Sequence, residues 1–241
     1  MKPIKMLDTF AGIGGFSYAA HKLVGGFETK QFIEIDPFCQ KILNKHFPNV
    51  PIHDDIRTFS AISGQYDVIC GGFPCQSISV AGNRAGITEE SRSGIFYELM
   101  RVIRMVRPRF VVLENVAAIL NNGLDIVLGE LSQAGYDAEW SVISASSLGA
   151  CHRRSRWWLV AYPHSEGLQR KDFNEMEREI WSQGNSRRLN PDWRSYVSKP
   201  ILPRGSYGLS NRVDRTKSLG NSVVPACAAI PLKRVLDLYY Q

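Results

Sequence analysis

Several features are missing from this chain, and each absence narrows what it can be. No uninterrupted apolar run approaches the roughly 20 residues that a membrane-spanning helix needs, so a helical membrane protein is not expected. The opening stretch MKPIKMLDTF is too short and too acidic for a signal peptide, and residence in the cytoplasm is expected. The 5 cysteines (Cys39, Cys70, Cys75, Cys151 and Cys227) are odd in number and contain no C-x-x-C pair. Neither disulfides, structural zinc nor any other metal site is expected from them. Internal repeats, low-complexity tracts, a zipper and an exposed apolar stripe are also missing, and a monomer is the expectation.

What is present is an ordinary globular composition, 44% hydrophobic and 22% charged over 241 residues, enough for one α/β body with at most a small appended lobe. The net charge of +6 is unevenly placed. Residues 153–217 hold 14 Lys or Arg against 7 Asp or Glu, which leaves the remainder slightly negative. A basic segment after a near-neutral body suits a polyanionic partner, because phosphate contacts release counterions. A merely soluble basic surface would give the same count.

Along the chain, apolar runs alternate with helical periodicity. Strands are expected at 5–10, 30–33, 51–53, 66–70, 110–113 and 157–161, and helices at 18–23, 38–47, 95–106 and 124–134. A closing helix is expected over 223–240, with Pro225 near its start. This order implies a doubly wound, mostly parallel sheet with helices on both faces, whose ligands bind at the carboxyl ends of the strands. Between Pro163 and Ser210 the alternation fails, and Trp181, Trp193, Tyr196 and Tyr207 mix with arginines in a Gly-, Pro- and Ser-containing stretch. The domain reading is therefore a main body of 1–162 and 209–241 with a small lobe at 163–208.

DTFAGIGGF, Asp8 to Phe16, places glycines between a strand and a helix amino terminus, where backbone approaches a nucleoside closely. Its G-x-G-G spacing lacks the third glycine of the dinucleotide fingerprint, and such a turn can also serve only tight packing. Glu34, at the end of the second strand, can accept hydrogen bonds from ribose hydroxyls, as in both nicotinamide and S-adenosylmethionine enzymes. Asp55 can take an adenine amino group or stand as an ordinary turn aspartate.

GGFPCQSIS, Gly71 to Ser79, follows another strand end and exposes Cys75 behind Pro74, a setting for a reactive thiolate. No histidine accompanies it in the manner of a cysteine protease. The next strand, RFVVLENV, instead delivers Glu114 and Asn115 beside that loop, where a carboxyl group can act as an acid.

Taken in order, DTFAGIGG, FPCQ with Cys75, ENV with Glu114 and GNSVVP at 220–225 resemble the motifs of the DNA (cytosine-5) methyltransferases. The resemblance covers Asp8 to Arg156 and resumes near Gly208. It implies a Rossmann-like, S-adenosylmethionine-dependent fold with a small target-recognition lobe, and attack by Cys75 on carbon 6 of a flipped cytosine while Glu114 holds ring nitrogen 3. HRRSR, 152–156, is similar to the family's Gln-arginine motif, with His152 in place of Gln. By this likeness Arg154 and Arg156 join the catalytic set, Arg156 toward the cytosine carbonyl oxygen. The cofactor set becomes Phe10, Ala11, Gly12, Ile13, Gly15, Glu34, Asp55, Ile56, Pro74, Asn221 and Ser222. Gln76, Ser79, Arg84, Arg92, Arg153, Arg187, Arg188 and Arg212 are the expected DNA contacts, 81–94 resembling the mobile loop that closes over the base.

The short lobe predicts a short recognition site in double-stranded DNA, and a separately acting restriction endonuclease stands open as a partner. An RNA cytosine methyltransferase acting on tRNA would share these motifs, as would a catalytically silent DNA-binding protein on the same scaffold. An oxidoreductase is disfavoured by the missing third glycine.

Overall fold

The computed structural model describes residues 2–74, 94–164 and 212–240. Among these, seven strands form a sheet: β1 (Ile4–Thr9), β2 (Phe27–Ile33), β3 (Ile52–His53), β4 (Val68–Gly72), β5 (Phe110–Val116), β6 (Tyr136–Ser144) and β7 (Ser155–Pro163). Their order is 3-2-1-4-5-7-6. Pairing is parallel from β3 through β5 and antiparallel where β7 lies between β5 and β6. The helices are α1 (Gly15–Tyr18, continued by a π-helical stretch Ala19–Val24), α2 (Pro37–His46), α3 (Gly94–Val106), α4 (Leu124–Gln133), α5 (Arg212–Asn221) and α6 (Pro225–Tyr239).

Strand alternation splits the core into two layers. Ile4 and Met6 of β1, Val68 and Cys70 of β4, and Phe110 and Val112 of β5 pack with Phe16, Ala19 and the apolar side of α6. On the opposite face Leu7, Ile69, Val111 and Leu113 meet Phe96, Leu99 and Ile103 of α3 and Val127 and Leu131 of α4. Helices thus cover both faces. Local signals fix the ends: the Asp36 carboxylate accepts from the Phe38 amide at 2.9 Å with Pro37 in the first turn of α2, and Pro225 opens α6.

The structure revises the sequence reading at several points. Strand β6 is an addition to them, because its buried positions include Glu139 while Trp140 and Val142 are exposed, which reverses the usual apolar-in pattern. Glu139 is tolerated there because Arg234 of α6 donates to it at 2.6 Å, with both side chains almost fully buried. The 157–161 strand is longer and runs antiparallel. The basic stretch before the closing helix is itself the helix α5, and α6 starts at Pro225 rather than 223. The helix expected at 18–23 begins as an α-turn and continues as a π-helix. The 163–208 lobe lies almost wholly outside the described residues.

Candidate active site

The strand order reverses between β1 and β4, and the carboxyl ends of β1, β2, β4 and β5 meet at that crevice. From β1 the chain enters the glycine loop through Phe10, whose φ of 53° is rare for a bulky residue, and Gly12, whose φ is +54°. The Ala11 amide donates to Ile33 O at 3.1 Å and the Gly12 amide to Glu34 Oε2 at 2.6 Å, which lashes the loop to the end of β2.

The loop glycines divide by role. A side chain at Gly12 would meet nothing within 4 Å, so this edge of the turn faces open space. An added Cβ at Gly15 would fall 2.9 Å from Val223 O. Gly15, assigned to the cofactor from sequence, therefore also admits the close approach of the segment leading into α6.

Glu34 is buried and its second oxygen accepts from the Asp36 amide at 2.8 Å. Burial raises its pKa, while the amides of Asp36 and Gly12 pull the other way. The exposed side chain of Ile35 follows it at the mouth of the crevice. Asp55 holds a forked pair with Arg57, whose Nε lies 3.0 Å from both carboxylate oxygens, and these hydrogen bonds lower its pKa. Ile56, expected at the cofactor, is only 3% exposed and packs in the α3-side core.

On the other side of the crevice, β4 leads through Gly72 and Phe73 to the exposed Pro74. Cys75, Gln76, Ser79, Arg84 and Arg92 lie outside the described residues, as do Arg187 and Arg188; Arg212 opens α5. Asn115, which has no assigned role from sequence, ties the two strands together. Its Nδ2 donates to Phe73 O at 3.1 Å, and its Oδ1 accepts from the Val116 amide at 2.8 Å. The carbonyl it grips is two residues before Cys75.

Glu114 pairs in register with Gly72, and a Cβ there would come within 3.0 Å of its Oε2. Arg156 Nε stands 3.1 Å from Glu114 Oε1. Burial pushes the Glu114 carboxyl up to about 7, against the opposing pull of Arg156 and Arg154. A carboxyl group so poised can keep a proton near neutrality. Arg153 is exposed beside them, whereas Arg154, expected near the substrate base, directs Nη2 at Gly220 O (2.8 Å) and Ser222 O (2.7 Å). Asn221 is the last residue of α5, and Ser222 Oγ donates to Leu219 O at 3.0 Å.

Asp8, also without an assigned role from sequence, lies fully buried beneath the loop. Its Oδ2 accepts from the Ser17 hydroxyl at 2.6 Å and the Ser17 amide at 3.2 Å, while Oδ1 has no hydrogen-bond partner. Burial raises it to about 7. An aspartate in an apolar strand was the available signal. The Ser17 bond shows that it anchors α1.

The sheet order, the paired crevice walls and the glycine loop define a Rossmann-like domain. Residues 4–222 match the model of the C-5 cytosine-specific DNA methylase family, and the chain belongs to that family. It is 33% identical over 224 residues to Type II methyltransferase M.CviJI of Paramecium bursaria Chlorella virus IL3A, covering 92% of this chain and 56% of that protein. It is 28% identical over 174 residues to Type II methyltransferase M.HhaI of Haemophilus parahaemolyticus, covering 70% and 52%. The chain thus spans about half the length of these relatives. The crystal structure of the S. pombe Dnmt2 methyltransferase shares the fold at a TM-score of 0.60 and 21% identity, covering 73% of this chain and 55% of that one.

Proposed function

We propose that the protein transfers a methyl group from S-adenosylmethionine to carbon 5 of a cytosine swung out of double-stranded DNA. The observation that carries this reading is the buried Glu114 carboxyl, poised near neutrality beside Arg156 at the carboxyl end of β5, one strand from the Phe73–Pro74 segment that precedes Cys75 in the chain. Family membership agrees with it.

The crevice residues fit an adenosyl ligand. Gly12 presents backbone to open space, and the buried Glu34 carboxylate closes the end of β2. Phe10, Ala11, Ile13, Asp55, Pro74, Asn221 and Ser222 complete the set that would hold it. Bound there, S-adenosylmethionine supplies an electrophilic methyl group.

The chain's own residues then prepare the base. Cys75 as thiolate adds to carbon 6 of the ring, and Glu114, holding a proton, donates to nitrogen 3, so electron density moves to carbon 5. Arg156 keeps the Glu114 carboxyl oriented and is placed to take the ring carbonyl oxygen. Asn115 holds the Phe73 carbonyl, two residues before the nucleophile in the chain. After methylation, loss of the carbon 5 proton and β-elimination break the sulfur–carbon bond and free Cys75. Base flipping is required because a stacked ring cannot be reached on its face.

The basic 153–217 region supplies phosphate contacts, and the short 163–208 segment reads a short site. Action as a monomer in the cytoplasm, alone or beside a restriction endonuclease, completes the proposal. Among the described residues no helix is long and apolar enough to cross a membrane, and no His, Cys, Asp and Glu group could hold a metal. Bisulfite sequencing of plasmid DNA from cells expressing the protein tests the reading: protected cytosines at a short repeated site support it. Their absence, or methyl transfer to tRNA and not to duplex DNA, overturns it. A covalent adduct with 5-fluorocytosine DNA that is lost in Cys75→Ser isolates the nucleophile.

A further inference from the structure

Arg154 joins the two walls of the crevice. Its one Nη2 atom bonds the carbonyls of both Gly220 and Ser222 at 2.8 and 2.7 Å, and so grips the last turn of α5 together with the link to α6. That link continues to Val223, whose carbonyl lies over Gly15. Toward the other wall, Arg154 stands two residues before Arg156, which pairs in register with Val116 of β5 and holds Glu114 Oε1 at 3.1 Å; Glu114 attracts the Arg154 charge and Arg156 repels it. Its backbone is strained, with φ at +28°. A non-glycine residue keeps such a conformation only where its surroundings over-determine it. Here they do: the preceding Arg153 carbonyl accepts from the Ala145 amide at 2.9 Å and the Ser144 hydroxyl at 2.7 Å, while the side chain is drawn to two carbonyls.

We infer that Arg154 is a positioning residue that makes cofactor binding and target-DNA binding cooperative, by holding the 220–223 turn against the glycine loop from a base set in the Glu114–Arg156 wall. This deepens the function proposed above and rests on it. A ligand in the adenosyl half that orders the turn also orders Arg154 and, through it, the charges that meet the flipped base. By linkage, a base seated against Glu114 returns the same factor to the cofactor. Lysine can keep the charge and reach a carbonyl, but it lacks the planar guanidinium that Arg154 extends between the two walls.

The test is a binding cycle on the full chain with S-adenosylhomocysteine and a labelled plasmid fragment bearing a site that the wild-type protein methylates. Fragment affinity is read by fluorescence anisotropy with and without S-adenosylhomocysteine, and S-adenosylhomocysteine affinity by calorimetry on the free protein. For the wild type, S-adenosylhomocysteine is expected to tighten the fragment at least about fivefold. In Arg154→Ala that ratio falls to about one, and affinity for S-adenosylhomocysteine alone weakens at least about tenfold, as expected for losing charge-assisted hydrogen bonds. Arg154→Lys restores part of the ratio and carries the same test should the alanine variant not fold. An Arg154→Ala protein that folds and keeps the wild-type ratio overturns the inference, as does a wild-type ratio of one. A wild-type protein that methylates no site in the plasmid, and so yields no such fragment, overturns the functional reading itself, a different and distinguishable result.

Discussion

Glu114 and Arg156 form an ion pair across the antiparallel ladder of β5 and β7, 3.1 Å apart, with Arg156 two residues from Trp158, the register partner of Glu114. The pair sits where two effects oppose each other: burial disfavours the carboxylate and the guanidinium favours it. Burial prevails and leaves the carboxyl at about 7.

In the proposed mechanism the Glu114 carboxyl carries its proton to hold ring nitrogen 3, so kcat/KM for methyl transfer should fall as pH rises through about 7. Glu114→Gln, which cannot exchange that proton, should lose this descending limb along with at least about 10²-fold in rate. A pH–rate profile of the variant that keeps the limb would assign the ionisation elsewhere.

Asp8 makes a prediction about stability. Its folded pKa of about 7 lies above the ordinary 3.8, so between those values the folded protein holds a proton that the unfolded chain has released. The destabilisation is absent below pH 3.8, grows through the interval and is complete above 7. Asp8→Asn keeps an acceptor for Ser17 without the charge. At pH 8 it should raise the urea midpoint by the equivalent of a few kcal/mol, since each pH unit between the two values corresponds to roughly 1.4 kcal/mol. At pH 5 the gain should be much smaller.

Gly12 and Gly15 should separate by phenotype. Gly15→Ala drives a methyl group toward a backbone carbonyl and should cost about 1–3 kcal/mol in global stability. Gly12→Ala strains only a left-handed turn, by roughly 1–2 kcal/mol, and should weaken S-adenosylhomocysteine binding out of proportion to that loss. Thermal melts paired with calorimetry compare the two.

Arg234→Ala leaves the Glu139 carboxylate buried without its forked partner and should destabilise the fold by about 3–5 kcal/mol. The double replacement Glu139→Leu with Arg234→Met should recover most of that loss. Denaturant unfolding of both proteins measures it.

The glycine turn, the acidic end of β2 and the ENV strand are legible in the sequence because each sits at the end of an apolar run, where periodicity stops and chemistry begins. β6 is not legible: its inward face carries a glutamate whose neutralising arginine lies 95 residues away in α6, and no local pattern reports a pairing across that distance. The hold of Arg154 on Gly220 and Ser222 is hidden for a related reason. An arginine cluster gives no sign in sequence of which backbone its members bond, and only the fold brings those two carbonyls within reach. Asn115 escapes assignment because it acts on a backbone amide and a carbonyl, which every residue possesses, and Asp8 because its partner Ser17 lies in a helix that local pattern does not bring against β1.

Because β7 runs opposite to its neighbour β5, it starts at the catalytic rim and finishes on the far side of the sheet, Pro163 lying about 23 Å from Arg156 at ~3.3 Å per residue. The chain therefore departs at the floor of the molecule and rejoins at the rim through α5. Neither attachment point is a rung of the β5–β7 ladder that carries Glu114 and Arg156, so under the proposed function exchanging the 165–211 segment is expected to change the methylated site and leave that ladder in place.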